Sequence, residues 1–182
     1  VDNAFANSGA ADCETLQNLY AAKIEENKDN LPYLKETISL LRRTGCQEIE
    51  AYFLASDYAY RQEPSAEAAV GLGKKAVKIK DYDTAIKYFD EAANLETDAT
   101  SKADDYYMIA SLLFEQNAYS KARQYCQKAL EANPNYGNAY LLIGKMYAAT
   151  SKSVFPNDGV LARAAYNAAI DKFEKAKQVD PS

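Results

Sequence analysis

The sequence predicts an all-α fold in which about nine helices form antiparallel pairs, stacked in a right-handed superhelix. One template occurs three times: tyrosine, alanine, an aromatic residue or cysteine, and a second alanine recur at fixed spacing, in copies that begin at Tyr82, Tyr119 and Tyr166. Such self-similarity is typical of repeat proteins, in which each unit buries its apolar face against its neighbours. Hydrophobic residues make up 48% of the 182 residues, which is enough to build a core.

The first 65 residues show helical periodicity with a weaker version of the template. Residues 1–11 are small, polar and aperiodic, so we expect a flexible leader or the remnant of an upstream domain. Apolar residues at helical spacing then predict helices over Glu14–Glu26, Leu31–Arg43 and Glu48–Arg61. We assign residues 12–65 to degenerate repeats.

We expect the repeat domain as a whole to span residues 12–182. After residue 65 it consists of clear units. These units span 66–99, 103–136 and 137–182. Upstream of each template copy, a small residue follows an aliphatic one, as at Leu72-Gly73. Small residues at such positions let two helices approach closely. Pro134 and Pro181 follow the second helices of the last two units, where a residue without an N–H cannot continue a helix.

The last unit carries an insertion. Gly144 and Ala169 are about twice as far apart along the chain as their equivalents in the first clear unit. The extra residues fall at 151–163, between the two helices, where a Phe-Pro-Asn-Asp-Gly segment predicts a turn. Asp158 is then expected to cap a lengthened final helix.

The template resembles the tetratricopeptide repeat, a helix-turn-helix unit of about 34 residues. Other segments are similar to a group of cell-envelope tetratricopeptide proteins of the Bacteroidetes; these are Asp12–Glu14, Leu40–Cys46, Glu63–Ala68, Leu142–Tyr147 and Phe173–Ser182. That resemblance implies an exported protein of the periplasm or cell envelope of a Gram-negative bacterium. It also implies that the chain is part of a longer protein, and it supplies no biochemical role.

Two of the three cysteines are predicted to form a disulfide. Cys13 opens the first predicted helix and Cys46 follows the second. In an antiparallel hairpin the start of one helix lies beside the end of the next, so the two sulfur atoms can meet. A disulfide favours an oxidising compartment, whereas the alternative is two reduced thiols on a cytosolic hairpin. Cys126 replaces the aromatic residue of the template and is interpreted as a buried apolar residue.

Charge and composition argue against several classes of function. The net charge of −5 and the pI near 4.9 disfavour nucleic acid and anionic membrane surfaces as partners. No apolar run approaches the roughly 18 residues of a membrane span, so we expect no direct membrane insertion. The chain has no histidine, the usual metal ligand and proton carrier near neutral pH. We therefore expect no enzyme, no metal and no cofactor.

The predicted function is a non-catalytic scaffold that binds a protein or peptide of unknown identity in a concave groove. In the tetratricopeptide fold the first helix of each pair lines this groove, and apolar anchors with a few polar groups suit an extended or helical peptide. The predicted groove residues are Phe53, Asp57, Tyr60, Lys74, Tyr107, Met108, Ser111, Phe114, Leu141 and Lys145.

Two alternatives remain open at this point. In the first, a tightly wound superhelix buries part of the apolar stripe against neighbouring helices. In the second, the chain is a structural or assembly module that docks another domain or self-associates as a homo-oligomer, or it is the regulatory part of a larger envelope protein.

Overall fold

The computed structural model describes residues 12–154 and 159–181, and these form nine α-helices without a strand. The helices, α1 to α9 in chain order, span Cys13–Glu26, Leu31–Arg43, Glu50–Gln62, Ala66–Lys78, Tyr82–Leu95, Ala99–Glu115, Tyr119–Ala132, Gly137–Val154 and Gly159–Val179. The predicted all-α class is confirmed. The expected leader at 1–11 and the expected cap at Asp158 lie outside the described residues.

Capping explains where the early helices begin. The α2 helix has the predicted bounds, because the side chain of Asn30 accepts a hydrogen bond from the Tyr33 N–H at 3.2 Å and Pro32 occupies the first turn. The α3 helix begins two residues later than predicted. Ile49 has extended backbone angles and holds the N-cap position, so Glu48 is not part of the helix.

The contacts divide the chain into two compact units, one ending at Leu95 and the other beginning at Glu96. In the first unit α1 and α2 both pack against α3, and α4 packs against α3 and α5. Fully buried apolar side chains of α1 to α3 form one core, among them Leu16, Ile24 and Leu34. The degenerate N-terminal segment therefore builds the same kind of apolar interior as the clear repeats.

A disulfide joins Cys13 to Cys46 in the first unit, with the two Cα atoms 5.3 Å apart. Cys13 is the first residue of α1, and Cys46 follows α2 after a turn at Gly45. The φ angle of Gly45 is +75°, in the left-handed region that glycine adopts without strain. The Cys46 N–H donates to the Leu41 carbonyl at 2.8 Å, so this turn closes back onto the end of α2.

The second unit consists of two hairpins, α6 with α7 and α8 with α9, and α8 packs against both α6 and α7. The α8 helix continues to Val154 and α9 begins at Gly159. In the described residues the insertion predicted at 151–163 therefore lengthens both helices of the last unit. Residues 155–158, which hold most of the predicted turn, lie outside the described residues.

The turns inside the first two clear repeats share one backbone conformation. Lys80 and Asn117 hold equivalent positions, with φ angles of 61° and 59°. In both turns the N–H of the following residue donates at 2.9 Å to a carbonyl five positions back. Two different residues thus adopt the same left-handed geometry, as expected if the repeat and not the local sequence dictates the turn.

Candidate functional site

In the first unit, the prediction that Phe53 is a groove residue is wrong, because its side chain is fully buried. The α1 helix packs against α3 and contributes Leu16 and Tyr20 to the core that contains Phe53. The Lys78 ammonium lies 5.0 Å from the centroid of the Phe53 ring and donates to the Glu48 carbonyl at 3.1 Å. A ligand therefore has no access to this ring.

Two polar groove positions of the first unit form ion pairs within the chain. Asp57 pairs with Arg61, one turn further along α3, at 2.7 Å. Lys74 on α4 pairs with the Glu48 carboxylate at 3.1 Å. Solvent-accessible pairs of this kind contribute about 1 kcal/mol or less to stability. Their main effect here is that both side chains already have a partner within the chain.

Tyr60 connects α3 to α5. Its hydroxyl donates to the Glu91 carboxylate, and its ring lies edge-on to the ring of Tyr88 with centroids 5.6 Å apart. The hydrogen bond to Glu91, together with burial, raises the pKa of Tyr60 to about 12. The hydroxyl of this predicted groove residue is therefore used within the unit.

In the second unit Tyr107 is half-buried and packs edge-on against Tyr136, with ring centroids 5.7 Å apart. The Tyr136 hydroxyl donates to the exposed carboxylate of Asp104 on α6. Burial, followed by this hydrogen bond, raises the pKa of Tyr136 well above its ordinary value. Tyr136 was not among the predicted site residues. The signal that could have found it is an aromatic residue immediately before the first helix of a repeat.

Phe114 lies near the other end of α6 and is also half-buried. Its ring packs at a tilt against the ring of Tyr119, with centroids 5.5 Å apart. The groove hypothesis required that Tyr107 and Phe114 not both be fully buried by their own chain. Both rings keep part of their surface exposed, so the hypothesis survives in the second unit.

The first helices of the two hairpins, α6 and α8, are neighbours in the second unit. Met108 and Ser111 of α6 are half-buried, while Leu141 of α8 is 36% exposed and Lys145 is exposed. Among the described residues, neither the Ser111 hydroxyl nor the Lys145 ammonium has a hydrogen-bonding partner. We use the name α6–α8 face for the set Tyr107, Met108, Ser111, Phe114, Leu141 and Lys145.

Comparison with known families identifies one of the units that form this face. Residues 103–136 match the tetratricopeptide repeat. The match has the bounds that the sequence predicted for the second clear unit, and it covers α6 from Ala103 onwards, the turn at Asn117 and α7.

Several solved structures share the fold of nearly the whole chain. A crystal structure of MamA is 20% identical with a TM-score of 0.68, covering 93% of this chain and 90% of that one. A second MamA structure is 19% identical with a TM-score of 0.66, covering 93% and 83%. YrrB, described as a TPR protein with an unusual peptide-binding site, is 23% identical with a TM-score of 0.54, covering 90% and 93%. Identities this low establish likeness of fold.

The template positions of the tetratricopeptide unit are occupied by packing residues. Ala122, Cys126 and Ala129 are fully buried. Burial raises the pKa of the Cys126 thiol to about 12, so this thiol stays protonated at neutral pH and is a poor nucleophile. In this unit, binding therefore has to use the side chains that the tetratricopeptide template leaves free.

The part of the chain that the structure describes shows neither a cluster of metal ligands nor a membrane-spanning helix. Within residues 12–154 and 159–181 no group of three or more cysteine, aspartate or glutamate side chains is arranged to hold a metal ion. None of the described helices combines the length and the apolar character that a membrane span requires.

Proposed function

We propose that this chain is a non-catalytic scaffold that binds a protein or peptide on the α6–α8 face. The observation that carries the proposal is the exposure of Leu141 beside Lys145, with the half-buried Met108 and Ser111 on the neighbouring helix. In the first unit Phe53 is buried, and the polar groups of Asp57, Tyr60 and Lys74 have partners within the chain. The description of YrrB as a tetratricopeptide protein with a peptide-binding site supports this mode of action.

The side chains of the α6–α8 face define the chemistry of the ligand. Met108 and Leu141 offer apolar surface to apolar ligand side chains, and methionine adapts its shape to different partners. The Lys145 ammonium attracts a carboxylate of the ligand. The Ser111 hydroxyl can donate to or accept from a peptide backbone. We therefore propose a segment, extended or helical, in which apolar residues stand next to an acidic one.

A peptide-display selection against the whole chain provides the probe for this proposal. Selected peptides are synthesised, and their affinity is measured by calorimetry for the wild type, for Leu141→Ser and for Leu95→Ser. Leu95 is 45% exposed on α5 and serves as the matched control. Loss of an apolar anchor from a binding surface weakens binding about tenfold. We expect that loss for Leu141→Ser alone; equal affinities for all three proteins would refute the proposed face.

The role of Lys145 is tested by reversing its charge. Lys145→Glu should weaken the binding of selected acidic peptides about tenfold or more, with a smaller effect at high salt. Lys121 is exposed on α7, away from the α6–α8 face, and Lys121→Glu changes the net charge by the same amount. If both variants weaken binding equally, the ligand responds only to overall charge and the assignment of Lys145 is wrong.

We further propose that the protein works in an oxidising compartment, the periplasm or cell envelope of a Gram-negative bacterium. The bond between Cys13 and Cys46 supports this location, because such bonds are rare in the reducing cytosol. The test is to trap thiols with an alkylating agent during lysis of the native cells. Label on Cys13 and Cys46 of the freshly trapped protein would contradict this location.

A further inference from the structure

The last helix exposes two large apolar side chains next to each other. Ile170 is 51% and Tyr166 is 40% exposed. They stand four residues apart on α9, so they lie one above the other on the same side of the helix. Ala169 of α9 is buried, and α9 packs against α8. We use the name α9 face for Arg163, Tyr166, Ile170 and Glu174, all of which are exposed.

The repeat position that Ile170 occupies lies against another helix elsewhere in the second unit. Arg123 on α7 is the equivalent of Ile170, and its guanidinium lies 5.4 Å from the centroid of the Tyr147 ring on α8. Cys126 on α7 is fully buried, whereas its equivalent on α9, Phe173, is only half-buried. On α7 this position therefore lies against α8. No described residue plays that part for α9.

The α9 face has a positive charge near the start of the helix and a negative charge further along it. Arg163 stands three residues before Tyr166, and Glu174 stands four residues after Ile170. Neither side chain has an ion-pair partner within the described part of the chain. If two such helices run antiparallel, each arginine meets the glutamate of the other helix. If they run parallel, like charges meet, and that arrangement is unfavourable.

We propose that a second copy of this chain covers the α9 face. The two α9 helices run antiparallel about a two-fold axis. Tyr166 of each copy packs against Ile170 of the other, and Arg163 of each copy pairs with Glu174 of the other. One patch that is complementary to itself is what a two-fold interface requires. A single pair of helices buries less than the roughly 1,200 Å² typical of stable complexes, so the dimer is weak.

Sedimentation equilibrium of the whole chain tests this pairing. Between about 5 µM and about 1 mM, a range suited to weak association, the average mass should rise from 20.1 kDa towards twice that value. Ile170→Glu should abolish the rise. Ile79→Glu is the matched control, because Ile79 is 67% exposed on the first unit and is not part of the α9 face. A monomeric mass throughout the range would overturn the proposal.

Charge reversal tests the antiparallel arrangement specifically. Arg163→Glu or Glu174→Arg alone should weaken the dimer about tenfold, because each places like charges at two symmetric contacts. The two changes combined should restore the wild-type association. Dimerisation that tolerates each single reversal would overturn the antiparallel pairing. Circular dichroism of every variant verifies that the helices are intact. A lower average mass in sedimentation equilibrium then reports weaker association and not unfolding.

Discussion

The ring of Phe89 occupies the space that a side chain at position 73 would need. A Cβ atom placed on Gly73 would lie 2.5 Å from Cε1 of Phe89. The last unit repeats this relationship, because a Cβ atom on Gly144 would lie 2.5 Å from Cε1 of Phe173. Glycine is needed at these positions for close approach of the two helices, and its conformational freedom plays no part.

Gly73→Ala and Gly144→Ala should therefore have unequal effects. Phe89 is fully enclosed and cannot move away, so Gly73→Ala should lower the free energy of unfolding by about 2 kcal/mol, even though alanine favours helix by about 1 kcal/mol. Phe173 is half-buried and its ring can turn outwards, so Gly144→Ala should have a smaller effect; the Cβ atom would still lie 3.1 Å from the Ala169 carbonyl oxygen, so some loss should remain. Urea denaturation followed by circular dichroism measures both. Equal losses, or none, would contradict this account.

The repeat at residues 103–136 has a larger residue at the glycine position and a smaller one at the phenylalanine position. Ala110 holds the position of Gly73, Cys126 holds that of Phe89, and both are fully buried. Cys126→Phe should overpack this site and destabilise the protein by about 1–3 kcal/mol. Adding Ala110→Gly should recover much of that loss, which a double-mutant cycle would register as coupling. Strictly additive effects would show that the two positions do not share one space.

Thiol counting provides a direct test of the cysteine assignments. The native protein should take up no alkylating agent, because Cys126 is buried and Cys13 is bonded to Cys46. The protein unfolded without reductant should take up one label, on Cys126. The reduced, unfolded protein should take up three, one for each cysteine. Intact mass measures all three states, and three labels without reductant would rule out the disulfide.

Alkaline pH should break the hydrogen bond between Tyr60 on α3 and Glu91 on α5. The pKa of Tyr60 is about 12 in the folded protein and lies near 10 in the unfolded chain, so the unfolded chain loses this proton first. The free energy of unfolding should therefore fall as the pH rises from about 10 to about 12. Tyr60→Phe should make this fall shallower. Tyr82→Phe is the control, because Tyr82 makes no hydrogen bond to a carboxylate within the described residues, and it should behave like the wild type.

Sequence periodicity predicted the helices well because each helix buries one side, and this requirement is local. Whether a groove position is exposed depends on which segments cover it, and these segments lie far away in the sequence. Repeat register predicts Phe53 on the groove, but its side chain is fully buried in a core to which α1 contributes. The partners of Tyr60 and Tyr107 lie about thirty residues further along the chain, at Glu91 and Tyr136. Pattern alone does not identify such pairs.

The bond between Cys13 and Cys46 also changes how the chain responds to cutting. It encloses the exposed connection between α1 and α2, where Lys28 offers a site to trypsin. A single cut there would leave the two fragments covalently attached, so a non-reducing gel would show one band of undiminished mass and a reducing gel would show two. The first helix is thus tethered against loss, and the protein can be nicked at this connection without shedding its N-terminal segment.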